Sequence, residues 1–372
     1  MSELIPISVA AIILSILSHL SSEYDPIRCR YGRQDRFWYI IMAISMILFV
    51  GLRTGYNDTG TYRLIYDSIP KDVDLWDGID WLTLGDNPAF TFTNRVLVRL
   101  GFSTQSYLMF YATITLGIYL WFFRKYTSNL PFSIFLFVTF CGYTFTMAAI
   151  KQCLSMALCL IATDRVIHKK YIPFLLWVLL SSLYHPYALM YLAVPLLTFR
   201  PWSTTTLVII TIFAVVGSTM GRLIGTLLDV TLLLGENYDA TSFTGEGVNP
   251  FRLAAITVPI FLSLLVKNQI AVKKDRVQNL IVNLAMLNGE IMFLALFGTA
   301  NYFARLANYF IPFQALAIPQ LLSHFNKETK KMVTICAVIC YTLFFIYTNA
   351  FHDSFDYHFY SITLWEYLKS LF

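Results

Sequence analysis

The sequence predicts an all-α fold, a polytopic integral membrane helix bundle of about 10–12 transmembrane helices with amphipathic segments on its outer face. Of the 372 residues, 57% are hydrophobic and only 13% are charged, and the mean hydropathy is +0.61. A soluble domain carries about 25% charged residues, because water must wet its surface. The composition therefore excludes an ordinary soluble domain, and the scattered basic residues disfavour a nucleic-acid binder.

Apolar runs give the candidate helices in chain order. They lie near 4–20, 37–53, 106–123, 131–149, 150–166, 171–184, 187–199, 205–220, 251–266, 280–298, 301–322 and 332–348. Several are shorter than the roughly 20 residues that a span requires. The pair 171–184 and 187–199 fits either two short spans or one span followed by a re-entrant piece. We expect a single polytopic domain over residues 1–372, with two long outer loops at 54–105 and 221–250.

Basic residues set the predicted orientation. Four arginines, Arg28, Arg30, Arg33 and Arg36, lie in the loop 21–36, and cytoplasmic loops are enriched in such residues. Alternation from that loop places most other basic residues inside and both termini outside. Within the two long outer loops, the amphipathic stretches Phe92–Leu100 and Leu223–Leu234 are expected to lie along the membrane surface.

Several ionisable residues fall at or inside the predicted spans, where a charge is costly and is a functional candidate by default. Four of them stand near outer helix ends: Arg53, Lys151, His185 and Arg305. Asp58 follows Arg53 in a short loop, and the arginines suit phosphate groups, which they bind bidentately.

Two neighbouring predicted helices carry polar faces. Arg305 shares one with Asn301 and Asn308, while Glu290 shares another with Asn283. Such faces must turn toward each other or toward a wet cavity. For Glu290 the alternative is an ion pair that only holds the bundle together.

The acidic run in the first outer loop invites a metal-site interpretation. It contains Asp72, Asp74, Asp77 and Asp80, but acidic residues in a loop are usually just solvated. No Cys/His spacing typical of a metal site and no nucleotide-binding glycine motif occurs in the sequence. We therefore predict metal-independent chemistry without a cofactor.

Four motifs in order resemble the EpsG family, which belongs with the Wzy-type polysaccharide polymerases. The segment from Arg53 through Asp58 to Tyr62 is similar to the family's Arg-x-x-x-Gly-x-Asp-x-x-x-Tyr signature, although Gly55 comes early. Three more elements follow: Lys151-Gln152 where the family shows Arg-Gln, His185-Pro186-Tyr187-Ala188 resembling His-Pro-x-Ala, and Arg305-x-x-x-Tyr309-Phe310 resembling Arg-x-x-x-Tyr-Phe. The lysine at 151 departs from the pattern and cannot bind bidentately.

The resemblance implies a membrane glycosyltransferase that polymerises undecaprenyl-diphosphate-linked oligosaccharide repeat units at the outer face of the bacterial inner membrane, as an O-antigen or capsule polymerase. Its expected partners are that lipid-linked oligosaccharide, membrane lipids and a chain-length regulator protein, with no nucleic acid.

Residue chemistry suggests roles for the matched positions. Cations must neutralise the departing diphosphate, which suits Arg53, Lys151 and Arg305. Asp58 and His185 are the candidate general bases, with Asp58 favoured because a nearby cation keeps it ionised. The remaining candidates, expected to contact substrate, are Tyr62, Gln152, Glu290 and Tyr309.

Other activities remain open at this stage. A lipid-linked oligosaccharide flippase or transporter would need cations along a path to both leaflets, whereas these crowd the outer end. A polyprenyl-phosphate-sugar-dependent glycosyltransferase or a ligase would use the same groups. An acyltransferase could use His185 but leaves the ordered arginines unexplained.

Overall fold

The computed structural model describes residues 3–22, 24–25, 30–31, 36–208, 248–296, 300–350 and 359–371. Regular structure in these ranges is overwhelmingly helical, which confirms the all-α polytopic class. Parts of three predictions lie outside the described residues: the basic loop around Arg28 and Arg33, most of the helix at 205–220, and the amphipathic stretch Leu223–Leu234.

The first half of the chain contains helices at the predicted apolar runs, in order, and two more helices in the predicted outer loop 54–105. Nine helices are described there: α1 Leu4–Leu20, α2 Phe37–Gly51, α3 Thr59–Asp67, α4 Pro88–Arg99, α5 Thr104–Tyr126, α6 Leu130–Thr139, α7 Gly142–Ala148, α8 Ile150–Ile167 and α9 Tyr171–Ser182. A 3₁₀ helix, Pro186–Thr198, comes next. The stretch 171–199 thus forms two helical segments, and they meet at the turn that carries His185.

The second half contains the remaining described helices: α10 Pro250–Leu265, α11 Lys267–Lys273, α12 Arg276–Leu294, α13 Ala300–Asn308, α14 Ile311–Leu322, α15 Lys327–Ala350 and α16 Leu364–Lys369. Side-chain caps fix several starts. Asn249 accepts from the backbone N–H groups of Phe251 and Arg252, and Asp275 accepts from those of Val277 and Gln278. Each cap satisfies donors that a helix leaves open at its first turn.

Two predicted spans are broken helices. The run 131–149 divides into α6 and α7, which are bent by 50° at Cys141, a residue with a φ of 60°. The run 301–322 divides into α13 and α14, with the break at Tyr309 and Phe310 just before Pro312.

Three described helices are long and apolar enough to cross a membrane: α5, α12 and residues 327–349 of α15. The number rises to five if each bent pair, α6 with α7 and α10 with α11, is one span. Shorter apolar helices, among them α1, α2, α9 and α14, coincide with other predicted spans. The chain is thus a multi-pass membrane protein.

One end of the bundle gathers residues from the predicted cytoplasmic loops. The side chain of Asp164 pairs with Lys125 and accepts a hydrogen bond from the Tyr126 hydroxyl at 2.6 Å. The Arg276 guanidinium donates to the Tyr171 hydroxyl at 3.2 Å, which links the α11–α12 and α8–α9 connections. These contacts put the α5–α6, α8–α9 and α11–α12 connections at one end of the bundle.

A short antiparallel sheet braces the opposite end. Strand β3, Arg53–Gly55, pairs with β4, Tyr360–Ser361, so the C-terminal segment lies against the turn that follows α2. The two-stranded sheet of β1, Tyr24–Asp25, and β2, Arg30–Tyr31, lies in the basic loop. The brace fixes the path of the chain into α3, where the candidate site begins.

Candidate active site

A cavity of about 590 Å³ opens at the end of the bundle where the predicted outer helix ends meet. Its polar wall contains the cations Lys151, Arg252 and Arg305, together with Asn57, Asp58, Tyr62, Thr144, Gln152, His185, Asn308 and Asn349. The lining also contains apolar side chains, here called the apolar wall: Leu4, Phe140, Phe145, Ile311 and Phe344. Six of the nine residues singled out in the sequence therefore meet at one cavity.

The first turn of α8 forms part of this wall. Its first intrahelical hydrogen bond runs from the Cys153 N–H to the Ala149 carbonyl at 2.8 Å, and Ala149 offers no side-chain cap. The preceding N–H groups are therefore directed along the helix axis, toward the cavity that Ala149, Lys151 and Gln152 line. The backbone of Lys151 hydrogen-bonds the hydroxyl of Tyr62. A helix start of this kind carries a partial positive charge that favours anions.

Hydrogen bonds fix the helices that bring the cations together. The Gln152 amide donates to the carbonyl of Arg305 at 2.8 Å and so ties α8 to α13. The Arg252 guanidinium donates to the side-chain oxygen of Asn308 at 3.1 Å and so ties α10 to α13. Gln152 and Asn308 are themselves buried, which makes these links rigid.

Arg252 is the functional candidate that sequence reasoning missed. It lies in the first turn of α10, three residues after the Asn249 cap. The start of a helix carries a partial positive charge, which repels the guanidinium of Arg252. A bound anion would offset this repulsion. The sequence does indicate this position, because Asn249-Pro250 is typical of a helix start and Arg252 follows two residues later.

His185 lies in the turn between α9 and the 3₁₀ helix, outside both segments, and its side chain is almost fully buried. Its Nδ1 is 3.0 Å from the hydroxyl of Tyr309. Burial, and then the nearby Lys151 and Arg305, lower the pKa of His185 well below its usual value. The imidazole is therefore neutral at pH 7 and can accept a proton.

Asp58 precedes the first residue of α3, is exposed and lines the same cavity. Arg53 does not line it. Its guanidinium is 1% exposed and donates to the Val50 carbonyl at 2.5 Å and to the Thr59 hydroxyl at 3.0 Å. Arg53 thus holds the turn beneath Asp58 instead of facing the cavity, where the sequence suggested a diphosphate contact.

Tyr309 and Glu290 also lie off the cavity wall. Tyr309 is fully buried behind His185, because α13 ends at Asn308 and Tyr309 leaves the helical face that carries Arg305. Glu290 lies near the end of α12, and its predicted companion Asn283 donates instead to the carbonyls of Leu197 and Phe199. Asn288 of α12 donates to the Ala307 carbonyl of α13 and so links these two helices.

The acidic run of the outer loop is used locally. Asp74 accepts from the N–H groups of Trp76 and Asp77, and these bonds lower the pKa of its carboxyl. Asp80 accepts from the Leu82 N–H and from the Thr83 hydroxyl. Among the described residues, no group of three or more His, Cys, Asp or Glu side chains is arranged to hold a metal ion.

The fold and the cavity together define a multi-pass helical membrane protein with a cationic pocket at one end of its bundle, suited to an anionic substrate. A family model described as the EpsG family matches residues 36–364, and the chain belongs to that family. It is a family of Wzy-like polymerases, so the chain is a polysaccharide polymerase of the glycosyltransferase type. Searches of curated proteins and of solved structures found no match.

Proposed function

We propose that the chain polymerises undecaprenyl-diphosphate-linked oligosaccharide repeat units in this cavity, at the outer face of the bacterial inner membrane, with both termini on that side. The observation that carries the proposal is the convergence of Lys151, Arg252, Arg305 and the start of α8 on one cavity that also contains Asp58 and His185. A diphosphate leaving group needs positive charge where negative charge develops, and an attacking sugar hydroxyl needs a proton acceptor. Both requirements are supported within a single wall.

The diphosphate fits against the cations. Arg252 and Arg305 each present a planar fork that can bind two phosphate oxygens, while Lys151 adds a point charge beside the backbone N–H groups of α8. Because Gln152 and Asn308 hold the three helices together, these donors are arranged before the substrate arrives. Preorganised donors avoid a reorganisation penalty at the moment of reaction.

The reaction forms one glycosidic bond and breaks one sugar–phosphate bond. A hydroxyl oxygen of the acceptor saccharide attacks the anomeric carbon of the donor saccharide. The bond from that carbon to the diphosphate oxygen breaks, and the electron pair leaves with the lipid diphosphate, whose charge the cations neutralise. The hydroxyl proton passes to a base in the cavity wall.

His185 is the better placed of the two candidate bases. Its ring is fixed by the Tyr309 hydroxyl, whereas Asp58 is exposed at the cavity rim. A base that a third group orients is the common arrangement in activated nucleophile sites. Asp58, close to the Tyr62 hydroxyl, is then suited to bind sugar hydroxyls beside Tyr62 and Gln152.

The apolar wall suits the lipid. Leu4, Phe140 and Phe344 come from α1, from the end of α6 and from α15, so hydrocarbon-like surface lines the same cavity as the cations. In the membrane-crossing part of α15 only 11% is buried inside the protein, so most of that helix faces lipid. A polyprenyl chain can lie along this wall while its diphosphate contacts the cations.

Cells provide a direct test. Cells that lack the chain should accumulate saccharide of a single repeat unit on their outer side, and the wild-type chain should restore long polymer. Arg305→Ala should leave the single-unit saccharide outside while the protein is made and inserted normally.

The position of the accumulated saccharide separates polymerase from flippase. If cells without the chain retain their lipid-linked saccharide on the cytoplasmic side, the chain moves the lipid and the proposal is wrong. A matched control is Arg276→Ala, which removes an arginine from the opposite end of the bundle and should leave polymer length unchanged.

A further inference from the structure

A chain of buried hydroxyls leads from His185 away from the cavity. Nδ1 of His185 is 3.0 Å from the Tyr309 hydroxyl, which is 2.9 Å from the Ser155 hydroxyl. Ser155 on α8 and Ser181 on α9 face each other, with their hydroxyl oxygens 2.8 Å apart. All four side chains are at most 2% exposed, so their hydroxyls and the Nδ1 of His185 hydrogen-bond within the protein and not with bulk solvent.

One arrangement of donors and acceptors in this chain satisfies the backbone carbonyls of both serines. The Ser155 hydroxyl donates to the Ser181 carbonyl at 3.0 Å, and the Ser181 hydroxyl donates to the Ser155 carbonyl at 2.7 Å. Each hydroxyl has one hydrogen, so when both serines give theirs to these carbonyls, Ser155 meets Tyr309 as an acceptor. Tyr309 then donates to Ser155, and its oxygen accepts the hydrogen carried by Nδ1 of His185.

We propose that Tyr309 is a positioning residue, backed by Ser155, that holds the neutral imidazole of His185 as the Nδ1–H tautomer with Nε2 free to take a proton in the cavity. Within the described part of the chain, Nε2 has no hydrogen-bond partner, while His185 lines the cavity. When Nε2 takes a proton from a substrate hydroxyl, the imidazole becomes charged and the hydrogen bond from Nδ1–H to the Tyr309 oxygen strengthens. The Tyr309 hydroxyl does not need to rotate during this step. This inference rests on the proposed function, since it assigns the orientation of the base in that reaction.

A double-mutant cycle tests the proposal. The assay uses purified protein in lipid vesicles and the lipid-linked saccharide extracted from cells that lack the chain. Tyr309→Phe should lower kcat about five- to tenfold, the value of one neutral hydrogen bond of about 1 kcal/mol, with KM within about twofold. In a His185→Ala background the same change should cause no further loss, because Tyr309 acts only through His185.

The pH profile reports the direction of the hydrogen bond. If Tyr309 accepts from Nδ1–H, its loss destabilises the protonated imidazole, and the acid limb of kcat should move to lower pH. If Tyr309 donated to Nδ1, its loss would favour protonation, and the limb would move to higher pH, which overturns the assignment.

Two further variants complete the test, the first as a control and the second as a second test variant. Tyr191→Phe removes a nearby buried hydroxyl that donates only to the Tyr309 carbonyl, and kcat should stay at the wild-type value. Ser155→Ala removes the acceptor that fixes the Tyr309 hydrogen, so it should lower kcat by less than Tyr309→Phe with KM unchanged, and it carries the test if Tyr309→Phe does not fold.

The results distinguish a failure of the positioning role of Tyr309 from a failure of the proposed function. If the fold-losses in kcat of Tyr309→Phe and His185→Ala multiply in the double variant, or if Tyr309→Phe raises only KM, Tyr309 acts independently of His185. Either result would refute the positioning role. Absence of chain growth by the wild-type protein would instead refute the proposed function.

Discussion

Replacing Arg53 and Arg305 with alanine should produce different defects, although both arginines lie in segments that resemble motifs of the family. The Arg53 guanidinium is buried and makes two charged hydrogen bonds, to Val50 and Thr59. Each such bond is worth about 1.5–3 kcal/mol, so Arg53→Ala should lower the free energy of unfolding by about 3–6 kcal/mol. That is a large share of the roughly 5–15 kcal/mol that stabilises a typical domain.

Arg305 is partly exposed and lines the cavity. Arg305→Ala should change the unfolding midpoint little but lower kcat/KM about 100-fold, the effect of losing about 2.7 kcal/mol of charged contact in the transition state. Arg305→Lys should recover little of it, because a point charge lacks the planar fork.

The assay combines thermal unfolding in detergent with initial rates of chain growth for both variants. Arg53→Lys is the matched control, since it keeps the charge and should recover part of the stability. If Arg53→Ala unfolds at the wild-type temperature while KM rises, the guanidinium contacts substrate and the placement behind the Asp58 turn is wrong.

Three other predictions follow from the site and the fold. The acid limb of the pH profile of kcat should lie at higher pH than that of kcat/KM. Burial and two cations lower the pKa of His185 in the free protein, and a bound diphosphate would offset those cations. Acid limbs at the same pH would contradict this role of His185. Chelator should leave the rate of the purified protein unchanged, as should Asp74→Asn, whose carboxylate only caps its own loop; parallel losses would instead indicate a metal at the acidic run. A reporter inserted in α11, Lys267–Lys273, should be cytoplasmic and one at 239–247 should be outside, and the reverse pattern would invert the proposed orientation.

Much of the helical framework could be predicted from hydropathy. The apolar runs gave α1, α2, α5 and α8 to within a few residues, because lipid imposes continuous apolar stretches on spanning helices. Hydropathy does not register a break inside such a stretch. The bend at Cys141 needs a left-handed backbone position that apolar periodicity cannot signal, so α6 and α7 were predicted as one helix.

The same limit explains why two of the predicted site residues, Arg53 and Tyr309, lie off the cavity. Arg305 and Tyr309 share a helical face only if the helix continues through both, but α13 ends at Asn308 and Tyr309 turns inward. Arg53 was placed on the cavity from its position at a helix end, yet the direction of a side chain in a turn depends on tertiary partners such as Thr59. His185 and Lys151 do line the cavity together, since ordered motifs on one side of a membrane have few places to meet; their roles stay predictions.

The most direct test of the account counts lipid diphosphate against glycosidic bonds. Purified protein in vesicles is given the lipid-linked saccharide extracted from cells that lack the chain, and both products are quantified over time. Bond formation in the cationic cavity predicts one lipid diphosphate released for each new linkage, with both products falling together in Arg305→Ala. Movement of the lipid-linked saccharide across the vesicle membrane without release of lipid diphosphate would contradict it.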